Sequence, residues 1–246
     1  MGTTRPWGRG WGGTDGFREG PRNRPVAVQS CPLDSPRRTL VQTTYDALAV
    51  EYAAHLADEL TGKPLDRQLL DRFAEETRGA GPVCELGCGP GHVARYLHDR
   101  GVDVSGIDLS SAMIEQARRL HPGMRFREGD MLALDVADGA LAGIVSFYAV
   151  VHLSPKGLLA AFEEMRRVLR AGAVALVAFH VGDETVRPGE LWGVPVTLDW
   201  IFHRTDVVVS ALTEAGLAVG DVIEREPYEG VEHPSRRAYV FARRGA

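Results

Sequence analysis

From Leu40 onward the chain alternates between two apolar periods, and the alternation predicts its elements. Tyr45, Leu48, Ala49, Tyr52 and Leu56 recur at helical spacing, with Thr43 or Thr44 as the cap. A second helix is expected after Pro64, through Leu69, Leu70 and Phe73 to Thr77, and residues 78–82 break it. Residues 83–86 form a short, mostly apolar strand that runs into a glycine-rich turn. Val93, Tyr96 and Leu97 mark the next helix, with Gly101 suited to its C-terminal stop. Residues 102–107 read as a second strand closed by Asp108, and Ser110 or Ser111 caps a helix carrying Met113, Ile114, Ala117 and Leu120. Residues 124–128 and 141–148 are the third and fourth strands. Ser154-Pro155 opens a helix with the stripe Leu158, Leu159, Phe162, Met165 and Leu169, which Ala171-Gly172 stops. Residues 173–179 are apolar almost throughout, as in a strand buried on both faces. Residues 182–202 show no period. Thr205 is expected to cap a last helix with Val208, Leu212 and Ala215, and residues 217–224 and 237–242 are the final strands.

Strands alternating with helices imply an α/β fold: a doubly wound, mostly parallel seven-stranded sheet with helices on both faces. No helix separates the last two strands, so they are expected as an antiparallel pair at one edge. The leading helices would form an N-terminal helical lid. Residues 1–39, rich in Gly, Arg and Pro, read as a flexible tail. Residues 40–246 read as one domain, divided into a lid (40–78), a core (82–181), an insert (182–204) and a C-terminal part (205–246).

Charge and composition narrow the function classes. The formal net charge of −5 argues against a nucleic-acid footprint. Cys31, Cys84 and Cys88 give no disulfide framework and no zinc spacing, so no metal is expected. No apolar run is long enough to span a membrane, and no secretory signal opens the chain, so a cytoplasmic, membrane-free protein is expected, as monomer or homodimer. The next Met after the first is Met113, and translation from a GTG codon near Val41 is a further expectation.

The first strand ends in Glu85-Leu86-Gly87-Cys88-Gly89-Pro90-Gly91, a turn that admits a ligand to the backbone. A dinucleotide fingerprint would place a third glycine where His92 stands, which disfavours a nicotinamide-dependent oxidoreductase. The acidic-x-G-x-G-x-G pattern resembles the first motif of the class I S-adenosylmethionine-dependent methyltransferases. The segments around Asp108 to Met113, Arg127 to Met131, Ile144 to Leu153 and Arg167 to Gly172 resemble that family's later motifs, in order. At the last of these Ala171 stands where proline is usual. The resemblance implies S-adenosylmethionine as cofactor, S-adenosylhomocysteine as product, and a small-molecule methyl acceptor. A module that binds the cofactor without catalysis is the alternative.

Residue by residue, the resemblance implies that Glu85 and the Gly87, Cys88, Gly89 and Gly91 turn hold the methionine part. Asp108 and Leu109 would meet the ribose, with Met113 behind them. Gly129, Asp130 and Met131 would border the adenine, and Phe147 would lie near the sulfonium. Tyr52 of the lid would touch the cofactor, although Tyr45 and Tyr52 also fit an ordinary core stripe. His152, beyond the fourth strand, is the candidate base, with Tyr148 as a second polar group. Tyr45, His152, His180, Trp192, Tyr228 and His233 are the candidate acceptor contacts, and Trp200 is read as packing the insert. Arg236-Arg237 and Arg243-Arg244 read as solvated strand ends. The intact mass of the protein made from its own gene is expected to correspond to a start near Val41; a mass including residues 1–40 refutes that start.

Overall fold

The computed structural model describes residues 35–246. Most of the expected tail, with Cys31, lies outside the described residues. Helix α1 spans Ser35–Leu56 and so begins before the boundary expected at residue 40. Ser35-Pro36 repeats the Ser-Pro opening recognised at Ser154-Pro155, and Val41 is buried. Thr43, expected as a cap, lies inside the helix, where its hydroxyl donates to the Thr39 carbonyl at 2.9 Å. A 3-10 turn at Glu59–Gly62 joins α1 to α2, Pro64–Thr77.

The core follows as β1 (Val83–Leu86), α3 (His92–His98), β2 (Val104–Asp108), α4 (Ser111–Leu120), β3 (Arg125–Glu128) and β4 (Leu141–Phe147). Ser110 caps α4 by accepting from the Met113 N–H, and Ser154 caps α5, Pro155–Val168, by accepting from the Gly157 N–H. Helix α5 stops at Val168 rather than at Ala171-Gly172, and β5 (Leu169–Val181) starts at once. Its pairing with β4 breaks between Leu141 and Gly143, which leaves Gly172, at φ 76°, free to turn. The insert holds two short ladders: β6 (Thr185–Val186) pairs with β9 (Trp200–Ile201), and β7 (Glu190–Leu191) with β8 (Val194–Pro195). Helix α6 spans Thr205–Glu214; Arg204 holds its cap position, and no side chain bonds there, so Thr205 is the first helical residue and not the cap. The chain ends in β10 (Leu217–Arg225) and β11 (Arg236–Arg244).

The seven-stranded sheet has the order β10-β11-β5-β4-β1-β2-β3. All pairings are parallel except those of β11, which runs antiparallel to both β5 and β10. The expected antiparallel edge pair is thus present, with the later strand inside and the earlier one at the rim. Alternate residues of the central strands feed two cores. Cys84, Leu86, Ile144, Ala175 and Val177 meet α5 and α6 on one face. Val83, Val104, Val145 and Leu176 meet α2, α3 and α4 on the other. A third, small core joins Val41 and Leu48 of α1 to Val196 and Leu198 of the insert. These two segments therefore form one roof over the carboxyl ends of the strands. Among the described residues no helix is long and apolar enough to cross a membrane.

A buried polar hub fixes α2 to the sheet. Asp66 is fully buried and accepts from Tyr148 Oη at 2.9 Å, Tyr239 Oη at 2.8 Å and Arg225 Nη2 at 2.8 Å. Arg225 also pairs with Glu232. Removing the carboxylate takes the shared acceptor from three buried donors and leaves the Arg225 charge to Glu232 alone. Asp66→Ala is therefore expected to lower the unfolding free energy by about 3–5 kcal/mol, read by urea denaturation. A change below ~1 kcal/mol would show the hub to be dispensable.

Candidate active site

The glycine turn after β1 is built by close approach. Gly87 and Cys88 donate to the Ile107 carbonyl at 2.8 and 3.1 Å, so the turn folds down onto β2. A Cβ on Gly87 would overlap that of Ala149, and Gly87 sits at φ 69°, so only glycine serves there. Gly89 donates to Asp108 Oδ2 at 2.8 Å, and Ser110 N donates to Oδ1 at 2.9 Å. Burial pushes the Asp108 carboxyl up, and these backbone N–H groups pull it back only in part. The Leu109 N–H is a third backbone donor to this carboxylate, which still has capacity for a further donor. Glu85, 1 % exposed, accepts from Ala94 N at 2.7 Å; burial pushes its pKa well up. It thereby serves the first turn of α3.

Two cavities open above these groups. The first spans about 820 Å³ and is lined by Tyr52, Gly87, Gly89, Asp108, Leu109, Met113, Gly129, Asp130, Met131 and Phe147. Ten of the expected cofactor contacts are therefore gathered in one place. Glu85 and Cys88 line the second cavity, of about 1650 Å³. Gly91 lines neither: at φ 84°, it lies against Phe126 and His121, where any Cβ would collide. Its role is helix packing, not ligand contact.

Helix α1 and the 3-10 turn after it are bonded to the loops that follow β1, β2, β3 and β4. Glu59 meets His92 Nε2 at 2.6 Å beyond β1. Asp46 accepts from Ser110 Oγ at 2.6 Å and Ala112 N at 3.1 Å beyond β2. Arg38 Nε donates to Asp130 Oδ2 at 2.7 Å beyond β3. Tyr45 Oη lies 2.9 Å from His152 Nε2 beyond β4.

His152 Nδ1 lies 3.1 Å from the Asp199 carbonyl, which only accepts, so Nδ1 carries the proton and Nε2 accepts from Tyr45. Burial pulls the His152 pKa down to about 4. It is neutral at pH 7, with its lone pair directed at a phenol. Tyr148, held at φ 56°, donates to Asp66 and shares a bond with Tyr239 at 3.0 Å, so its hydroxyl is committed to the hub.

The second cavity is lined by Tyr45, His180, Trp192 and His233 among the expected acceptor contacts, and by Trp200. Trp192 forms the tip of the β7–β8 hairpin at φ 50° and stacks on His55 at 4.6 Å. Tyr228 does not line it; its hydroxyl accepts from Leu65 N at 3.1 Å beneath Arg225. Residues not foreseen are Glu59, Lys63, Glu232 and Arg237, which form its polar wall. Arg237 is 2 % exposed, against the expectation of a solvated pair with Arg236. A strand points successive residues to opposite faces, so one member of an Arg-Arg pair must face inward. Lys63 Nζ bonds Glu59 at 2.6 Å; with His92 it outweighs burial and holds the Glu59 carboxyl down at about 2.

Residues 83–172 match the sequence family described as methyltransferase domain. The chain is 35% identical over 121 residues to the malonyl-acyl-carrier-protein O-methyltransferase of Pectobacterium atrosepticum, covering 44% of this chain and 47% of that protein. It is 32% identical over 137 residues to the demethylmenaquinone methyltransferase of Beutenbergia cavernae, covering 54% and 55%. The chain thus spans about half the length of these curated relatives. Its fold matches a putative methyltransferase of Haloferax volcanii, solved in complex with a methyltransferase activator, at a TM-score of 0.67 and 19% identity, over 84% of this chain and 98% of that one.

The lowered pKa of His152 carries a stability signature. Between about pH 6.5 and 4 the unfolded chain binds a proton at this residue and the folded chain does not, so stability falls as the pH drops through that window. The contribution reaches about 2.5 kcal/mol at pH 4.5. His180, pulled down to about 2 by burial and by Arg237, adds in the same direction. Urea unfolding at pH 7 and pH 4.5 is expected to show a smaller loss in His152→Leu than in the unmodified chain; an equal loss would refute the assignment.

Proposed function

We propose that this chain, a class I S-adenosylmethionine-dependent methyltransferase homologue whose residues 83–172 belong to the methyltransferase-domain family, transfers the methyl group of S-adenosylmethionine to a small-molecule acceptor. One observation carries the reading. The two cavities meet at a ring of shared residues: Gly87, Gly89, Phe147 and Tyr148 at the ends of β1 and β4, and Tyr45 and Tyr52 of α1. A methyl donor in the first cavity would face a nucleophile in the second across that ring, the arrangement an in-line displacement requires.

The residues present fit the cofactor. A Cβ on Gly89 would stand in van der Waals contact with Tyr52 Cε1, at 3.7 Å, so the lid tyrosine faces the turn across the first cavity that both line. Asp108 would accept from the ribose hydroxyls, and two such donors would offset the burial that raises its carboxyl. Asp130 would accept from the adenine amino group while Met131 and Leu132 flank the ring. Gly87 and Gly89, with Glu85 and Cys88 beyond, would hold the methionine part. The cofactor supplies an activated methyl on a sulfonium; the chain must align, enclose and accept a proton. Tyr45 and His152 suit the last task. A hydroxyl nucleophile becomes strongly acidic as it is alkylated, so a weak, neutral imidazole suffices, reached through the Tyr45 phenol. Acceptors named for the relatives, malonyl-acyl-carrier protein and demethylmenaquinone, support an acceptor other than a nucleic acid.

Calorimetry is expected to give one site per chain for both S-adenosylmethionine and S-adenosylhomocysteine. Asp108→Ala is expected to weaken both about 100-fold, through loss of two charge-assisted bonds. A folded chain that binds neither ligand would sink the proposal.

A further inference from the structure

The polar wall of the second cavity holds a cation without a carboxylate of its own. Arg237, on β11, lines that cavity and is buried. Three cations crowd one carboxylate oxygen, Glu232 Oε2: Arg225 Nη2 donates to it at 3.1 Å, Arg237 Nη2 lies 3.4 Å away and Lys63 Nζ 3.7 Å away. Arg225 has a second carboxylate in Asp66, at 2.8 Å, and Lys63 has one in Glu59, at 2.6 Å. Among the described residues Arg237 has no second carboxylate. Its hydrogen bonds go to uncharged oxygens: Nη1 donates to the Ser235 carbonyl and hydroxyl, and Nη2 to the His233 carbonyl at 3.0 Å. Its Nε is buried and has no hydrogen-bond partner among the described residues.

A buried guanidinium that shares its only countercharge and leaves a donor empty is costly. Clasping the turn before β11 accounts for its three bonds, but for neither the charge nor the empty Nε. The field of that charge acts on its neighbours. Burial lowers the pKa of both His180 and His233, and Arg237 is the next largest cause at each. Lys63 acts on His180 in the same direction. Both imidazoles are therefore neutral at pH 7 and add no positive charge of their own, while the potential they sense from this wall is positive.

The position of the charge matters as much as its surplus. Lys63 Nζ lies 5.2 Å from the centre of the Tyr148 ring, and Arg237 Cζ lies 5.5 Å from it. Tyr148 is among the residues that both cavities share, whereas Lys63 and Arg237 line only the second. A group held by these two cations therefore stands one side chain beyond the junction. It serves as an anchor and not as the nucleophile.

We propose, resting on the reading of this cavity as the acceptor side, that Arg237, with Lys63 beside it, anchors a carboxylate of the methyl acceptor. The carboxylate supplies the countercharge that Arg237 lacks within the chain, and a separate hydroxyl of the same molecule reaches Tyr45 at the junction. One under-matched cation suits a single carboxylate; a phosphate dianion brings more charge than the wall can balance. The body of the acceptor lies along the Tyr148, Trp192 and Trp200 rings of the same cavity.

The test titrates the full chain with benzoate, benzamide and phenylphosphonate by calorimetry, with and without S-adenosylhomocysteine. Benzoate is expected to bind about tenfold more tightly than benzamide, its uncharged counterpart, the worth of one charge-assisted hydrogen bond. It is also expected to bind more tightly than phenylphosphonate. Arg237→Gln should erase the preference for benzoate while binding of S-adenosylhomocysteine persists. Equal binding of benzoate and benzamide, a preference for phenylphosphonate, a benzoate preference that survives Arg237→Gln, or no binding of any probe overturns the proposal. Should Arg237→Gln fail to fold, the unmodified chain decides. With ¹⁵N-labelled histidine, and His233→Asn to assign the signal, benzoate is expected to raise the His233 titration midpoint and benzamide to leave it in place. No rise with benzoate overturns the proposal. A chain that binds benzoate in this way but not S-adenosylhomocysteine would sink the cofactor reading and leave the anchor standing.

Discussion

The bond from the Gly89 N–H to the Asp108 carboxylate is the constraint on which the site depends. It ties the loop after β1 to the end of β2, so the two central strands finish at one level. Gly106 makes the approach possible: any Cβ there would collide with Cys88 and with Phe126 from β3. Ser110, bonded to the other Asp108 oxygen, then starts α4 and receives the lid through Asp46. One carboxylate at a strand end thus sets the turn, the next helix and the seat of the roof. The same group, buried and raised, is the one whose charge a bound diol would stabilise.

Much of this was legible along the chain because it is local. Strand β1, the glycine turn, Asp108 and the Ser154-Pro155 opening each declare themselves within a few residues, and ten of the thirteen residues expected at the cofactor line one cavity, Glu85, Cys88 and Gly91 standing outside it. What was not legible is long-range or depends on facing. Asp66, Tyr148, Arg225 and Tyr239 come from four separate segments and share no period, so nothing in the sequence joins them. Arg237 could have been found, since alternation along β11 requires one of two adjacent arginines to turn inward. The insert hid its two ladders because strands of two residues are too short to show alternation. Helix α1, its cap expected at Thr43 or Thr44, starts instead at Ser35, in a stretch whose composition resembles the tail.

The two cavities differ in how they treat charge. The first cavity is lined by Asp108, which accepts from backbone N–H groups, and by Asp130, which accepts from the Arg38 guanidinium and from the Leu132 N–H. The second cavity holds Lys63 against Glu59 and Arg237 near Glu232, with the rings of His180, His233, Trp192 and Trp200 along its lining. Tyr148 stands at the boundary. Its backbone closes the end of β4, its ring faces His180, and its hydroxyl belongs to the Asp66 hub, which positions the ring without making it a proton carrier.

The roof's attachment to all four strand-end loops has a kinetic side. Where entry beneath α1 requires some of these bonds to open, the observed association rate is the encounter rate multiplied by the open fraction. The tethers are modest singly, the Arg38 side chain being 38 % exposed, but those from Arg38, Tyr45 and Asp46 lie in series along α1, with Glu59 following in the 3-10 turn. Peeling from the Arg38 end breaks them one at a time, whereas lifting α1 as a rigid rod breaks them together. The free energy that shuts the roof is also the free energy that slows departure, so residence time beneath it is set by residues that need touch no ligand at all.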